Sequence, residues 1–369
     1  MEMKEYAETM MKFHQKVIDF LESQNESDDC FTEIVDYFEN HKINENKTDL
    51  KELFIMISKI AKYHHFDHLF KKRIQTILLF YKKDILKLFQ NNEIFDIFKN
   101  NKQILLFLFT NEIITVDKFI VHSIINKYEE NYPQFFYPEI KPYISKEEIK
   151  EIERQISSCK DSFEQNRQIG ENDSYICILI RQDLVKEFIT YVNQSNTNLS
   201  GKIKKSIFET NYFLIKKEPT LIEYASYFGS IQIIRYLFYE NINLTESLLV
   251  YAAHSKSPEL IHFLEENIDL SKEKFYKCCF LEAIKCHHRD IAEYMQNNIK
   301  DFEIYIYNDE RVFEYMTRYH NFEYFTDCFI DHFPFYTLAK YRYYSFFNHY
   351  LEIKKDEIES KIITKKLIF

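Results

Sequence analysis

Glycine is almost missing from this chain: three residues in 369, Gly170, Gly201 and Gly229, each far from the others. Phosphate-cradling loops need glycine at several neighbouring positions, because the backbone must approach the anion closely and take positive φ. With isolated glycines a P-loop, a dinucleotide fingerprint, a kinase glycine loop and a G-x-S-x-G nucleophile elbow cannot be written. Tryptophan is wholly absent, beside 35 Phe and 28 Tyr. AT-rich codon usage accounts for that imbalance, so the aromatic excess alone does not mark a binding surface. Clustered cations are also lacking. Net charge is -10, and the basic pieces Lys71-Lys72-Arg73, Lys202 to Lys205 and Lys216-Lys217 are short, which argues against nucleic acid as a partner. The strongest apolar run, Ile104 to Phe109, falls far below the roughly 20 residues a bilayer requires. The opening MEMKEYAETMMKF is acidic and does not read as a secretory signal, and KKLIF carries no prenylation box. Seven cysteines without framework spacing suit reduced thiols, so a cytoplasmic protein with no membrane role is expected.

What is present is helical periodicity. Tyr6, Met10, Phe13, Val17, Phe20 and Leu21 recur at three- and four-residue steps, as do Leu53, Phe54, Ile57 and Ile60. Brief polar turns rich in Asn separate such segments, and strand alternation is missing, so the expected fold is all-α. Three prolines, Pro133, Pro138 and Pro142, each remove an amide donor and restrict the preceding residue. They suggest an N-terminal helical domain over 1–132 and a linker over 133–144. Ser145, with Glu147 and Glu148 behind it, predicts the start of a charged connecting helix over 145–173.

Beyond Pro219 the chain repeats. TLIEYASYFGSIQIIRYLFYENINL, SLLVYAAHSKSPELIHFLEENIDL and FLEAIKCHHRDIAEYMQNNI align Ala225 with Ala252 and Ala283, and Leu237 with Leu264 and Met295, at periods of about 27 and then 31 residues. A unit this short, with two apolar faces and a small residue at a fixed place, is a helix-turn-helix that buries its core by stacking on neighbours. These units resemble ankyrin repeats: Thr220 and Ala225 stand at the Thr and first-Ala positions and Gly229 at the turn glycine. Leu221 stands where the proline would be, and Lys256 and His287 where the turn glycine would be. Further units are expected upstream, from Ser174, and downstream, from Arg311, so that degenerate ankyrin-like repeats cover 174–350 and a tail or capping helix covers 351–369. Taken whole, the chain is similar to a family of parasitic-protist proteins, expanded in trichomonads, that join an N-terminal helical region to degenerate ankyrin repeats. That resemblance implies a solenoid and an interaction role, with no demonstrated activity.

The repeat serves as a ruler for candidate sites. Cys278, Cys279, Cys286, His287 and His288 crowd into eleven positions, the composition of a metal site or a reactive thiol. On one helix, however, Cys279 and Cys286 stand roughly 10 Å apart along the axis at 1.5 Å per residue, and two zinc ligands must lie within about 4 Å. Helical structure, with His288 bonding inside the turn, is the favoured reading. His64, His65 and His68 lack the Glu of a metalloprotease helix and read as a solvated helix end. No catalytic residue, metal ligand, cofactor or small-molecule substrate is assigned, and no enzyme is expected. Residues near the ends of the first helices face away from the core and are free to meet a protein partner: Tyr227, Phe228, His254, Ser255, Lys285 and Cys286. The alternative is a metal-binding protein or uncharacterised enzyme using the Cys/His cluster at 278–288.

Overall fold

Local capping sets where the helices begin. Ser145 Oγ accepts from the Glu148 amide at 3.2 Å, while the Glu148 carboxylate accepts from the Ser145 amide at 2.8 Å. Thr220 and Glu223 form the same reciprocal box at the helix that follows Thr220; each box satisfies two otherwise unpaired amides. The computed structural model describes residues 3–23, 28–41, 43, 46–64, 68–321, 323–324 and 340–343. Their regular structure is helical, and the only β-type pairing among them is one antiparallel bridge between Lys202 and Thr220. The fold is all-α. The tail over 351–369, His65 and the second helix expected after Arg311 lie outside the described residues.

The chain forms two compact units, 1–59 with 301–369, and 60–300. The first contains α1 (Met3–Glu22), α2 (Asp28–Asn40), most of α3 (Lys47–Tyr63), α22 (Phe302–Asn308) and α23 (Glu310–Tyr319). Val17, Leu50, Leu53, Phe54, Ile57, Val312 and Met316 are fully buried within it. The second begins in the last turn of α3 and runs on through α4 (His68–Phe80), α5 (Lys82–Leu88), α6 (Asn91–Phe98), α7 (Lys102–Thr110) and α8 (Lys118–Ile125). Then come α9 (Tyr132–Phe135), α10 (Tyr137–Ile140), α11 (Lys146–Gln155), α12 (Phe163–Ile169), α13 (Tyr175–Arg181), α14 (Val185–Ser195) and α15 (Tyr212–Lys217). It closes with α16 (Leu221–Phe228), α17 (Ile231–Tyr239), α18 (Ser247–Ser255), α19 (Pro258–Asn267), α20 (Lys272–Cys286) and α21 (Arg289–Asn298).

The proline stretch expected as a linker is folded. Pro133 and Pro138 stand in the first turns of α9 and α10, and Pro142 in a 3₁₀ turn, while Tyr132, Phe135, Phe136 and Ile140 are buried. Proline fits a first turn because the amide it lacks would have no helical partner there. The stretch therefore opens short helices inside the second unit instead of separating domains.

From α13 onward the second unit is a stack of helix pairs. α13 packs with α14, α16 with α17, α18 with α19 and α20 with α21; the first helices α13, α16, α18 and α20 each touch the next. The aligned Ala225, Ala252 and Ala283 have no exposed surface, nor do Leu237, Leu264 and Met295. Each pair turns through a left-handed residue in register: Asp183 (φ 49°), Gly229 (φ 68°), Lys256 (φ 54°) and His287 (φ 61°). His320, after α23 in the other unit, does the same at φ 59°. The turn geometry is thus the same whether Asp, Gly, Lys or His holds it. In two of these turns the next residue binds the preceding pair: Ser230 Oγ donates to the Ile180 carbonyl at 2.5 Å, and His288 Nδ1 to the Ala253 carbonyl at 2.7 Å. His288 therefore bonds between pairs, not within its own turn as expected.

Candidate functional site

Two residues before each left-handed turn, the first helices place Arg181, Tyr227, His254 and Lys285 in a row. Stacking repeats was expected to leave this row and its neighbours exposed, but Tyr227 is 1% exposed, His254 and Cys286 0%, and Lys285 8%. The reason is chain folded back over the row from outside the repeat register. Between the first two pairs, residues 201–203 run beside 219–221, with the Ile203 amide bonded to the Pro219 carbonyl and the Leu221 amide to that of Gly201. The loop so closed carries α15, and Phe213 stacks on Tyr227 at 5.9 Å and on His254 at 4.3 Å. Asn211 Nδ2 donates to Tyr227 Oη at 2.5 Å. The Lys285 ammonium lies 5.0 Å from the Phe213 ring centre and 5.5 Å from that of Tyr63. Phe228 is half-buried against Tyr224 and Tyr227. Ser255 Oγ bonds the Ala252 carbonyl and accepts from the Ser257 amide, so it serves its own turn.

The covered end of the row holds a charge cluster. Glu282 Oε1 accepts from His254 Nε2 at 3.0 Å and from the Lys285 ammonium. Burial disfavours the Glu282 carboxylate, but the hydrogen bond from His254 and the Lys285 charge outweigh it and hold its pKa below the usual range. Burial lowers the pKa of His254 in spite of Glu282, so the ring is neutral at pH 7. Burial pushes the Cys286 thiol well up, and Glu282 adds to the effect. His254, Glu282 and Cys286 bring one ligand atom each within 4.8 Å of one another, and all three are buried. Among the described residues this is the one such convergence of three His, Cys, Asp or Glu side chains. Cys279 and Cys286 stand seven residues apart on the unbroken α20, so the crowded Cys/His stretch does not itself converge. Sequence reasoning fixed on that stretch and missed Glu282, although Glu282 and Cys286 form an i, i+4 pair and His254 holds the matching register one pair earlier.

His68 stands exposed at the start of α4, a solvated helix end as expected, whereas His64 differs. α3 ends at Tyr63 and α4 begins at His68, so the two do not share a helix face. His64 is buried, stacked on Phe70 at 4.3 Å and edge-on to His288 at 4.7 Å.

At its other end the row opens on a cleft of about 1020 Å³ whose lining includes Lys71, Gln103, Arg181, Glu209, Tyr227 and Phe228. α4 supplies Lys71, α7 Gln103 and α13 Arg181, while Glu209 precedes α15. Gly170, at φ 77°, lets the end of α12 approach α7: a Cβ there would come within 2.0 Å of Gln103 Nε2, which donates to the Arg167 carbonyl. Burial raises Glu209 to about 7, with Glu171 adding to the shift and the Asn211 amide and Arg181 opposing it. Burial lowers Lys71 to about 8 against the pull of Glu171. The exposed amides Gln165, Gln168 and Gln182 and both signs of charge, Lys71, Arg181 and Glu171, thus line one opening, which suits an extended polar chain. Comparison with family models, with curated proteins and with solved structures gives no match for this chain. Among the described residues no helix is long and apolar enough to cross a membrane.

Proposed function

We propose that the chain is a non-enzymatic, cytoplasmic interaction protein whose stacked helix pairs are degenerate ankyrin-type repeats, and that it holds a segment of a protein partner. The shared left-handed turns and aligned buried alanines support the repeat reading. The cleft carries the binding reading: it is the open end of the helix-end row, with Tyr227 and Phe228 on its wall. A pocket of this size with a few convergent polar groups is the ordinary form of a binding site. Amide side chains along it can pair with the backbone of an extended peptide.

A photo-reactive residue at Gln182, an exposed position on the cleft wall, tests this. The expected result is a discrete crosslinked protein in lysate of the source cell, lost when the cleft is obstructed by Gln168→Arg on its lining. The same probe at Tyr239, 79% exposed on α17, is the control. If Tyr239 captures the same protein equally well, or Gln168→Arg leaves the crosslink intact, the cleft is not the binding site.

A further inference from the structure

We propose that His254, Glu282 and Cys286 form a site for a thiophilic divalent cation of the Zn²⁺ class, taken up in exchange for the Lys285 ammonium. Three observations carry this. The donor set is one imidazole nitrogen, one carboxylate oxygen and one sulfur, the mixture that borderline-soft Zn²⁺ favours and that Mg²⁺ and Ca²⁺, which take oxygen, do not. The three atoms lie within 4.8 Å of one another on two packed helices, with Glu282 and Cys286 one turn apart on α20 and His254 facing them from α18. At tetrahedral angles and bonds of 2.0–2.3 Å, ligand atoms stand about 3.5 Å apart, so a side-chain adjustment of about 1 Å closes the site. The position also already holds positive charge, because the Lys285 ammonium sits on the Glu282 oxygen that His254 shares.

The surroundings suit the exchange. Cys286 is a free thiol with no exposed surface. His254 Nδ1 makes no hydrogen bond among the described residues, and the backbone of Tyr63 lies where it favours a proton on the ring. Binding through Nε2 moves the neutral ring's single proton from Nε2 to Nδ1, where the Tyr63 backbone favours it, the arrangement metal-bound histidines commonly adopt. Charge balances: one divalent cation, one carboxylate and one thiolate sum to zero. The thiol proton leaves to solvent and Lys285, still charged, swings outward through the part of its side chain that is exposed.

The full chain, produced without a histidine tag, is equilibrated with Zn²⁺ or Co²⁺, desalted and assayed for metal per chain, absorbance and thermal unfolding. About one ion per chain is expected, with a thiolate-to-cobalt charge-transfer band. Cys286→Ser, folded by circular dichroism, is expected to lose the band and the retained ion. Lys285→Met supplies a second arm, because it strands the buried Glu282 charge until a cation binds beside it. Its Tm is expected to fall without metal and to recover with Zn²⁺ but not with Mg²⁺. Retention below about 0.1 ion per chain, a cobalt spectrum without the thiolate band, equal retention by Cys286→Ser, or no Zn²⁺ rescue of Lys285→Met overturns the proposal.

Discussion

A left-handed backbone at Lys256 and His287 strains any residue with a Cβ, yet the two side chains differ in what they offset. Lys256 is exposed, so Lys256→Gly relieves the strain at little cost in buried packing. A gain of about 0.5–1 kcal/mol is expected, seen as a Tm rise of about 2–4 °C per kcal/mol for a unit of this size. His287 is 2% exposed, and His287→Gly trades the same relief against lost packing, so the pair of variants separates strain from burial. Tyr227 tests a different point. Since Phe213 and Asn211 cover it, Tyr227→Ala is expected to cost about 3–5 kcal/mol of stability in urea unfolding instead of merely trimming a surface. At this scale the sequence located the turns correctly, because register with Gly229 marks them whatever residue they hold. Burial of the helix ends was illegible, because α15 and the last turn of α3 reach the row from outside the repeat, and periodicity reports only neighbours along the helix.

Between elements, the stack is held by polar groups that cross from one pair to the next as well as by its apolar face. The Asp183 carboxylate accepts from the Gln232 and Ile233 amides at 3.0 Å each, so one pair's turn residue caps the second helix of the following pair. Asp183→Ala is expected to lower stability by about 1 kcal/mol and to speed hydrogen exchange at the start of α17 first. If exchange accelerates equally across the unit, the cap is not local. Ala252, without exposed surface where α18 meets α16 and α20, sets their approach; Ala252→Leu is expected to cost about 1–3 kcal/mol by overpacking. The alanine column was readable from alignment of the chain with itself. The crossing bonds were not, because Asp183 and Gln232 are partners only once the intervening loop has folded back.

At the scale of the molecule, titration supplies a prediction for the unit built from 1–59 and 301–369. His14 and His320 are buried there, and burial lowers each to about 3, with Lys59 adding to the effect on His320. Unfolded, both titrate near 6.5, so between those limits the unfolded chain binds protons that the folded unit refuses. Stability is therefore full above about 6.5 and falls as pH drops towards about 3, by about 1.4 kcal/mol per pH unit for each histidine. Hydrogen exchange of α1 and α23, corrected for intrinsic rates, is expected to lose protection between pH 7.5 and 5.5, and His14→Phe to flatten that dependence. Across the described residues the all-α class was legible from period alone. The chain's division was not, because one unit joins segments from both ends of the chain, and composition carries no mark of that pairing. The loop that lays Phe213 over the helix-end row has a consequence for any outside molecule seeking His254 or Lys285. The loop is tethered at both ends and competes at a local concentration on the order of millimolar. An incoming ligand's apparent Kd is its intrinsic value divided by the fraction of molecules in which that tether has lifted, so each 1.4 kcal/mol of closure weakens binding about tenfold.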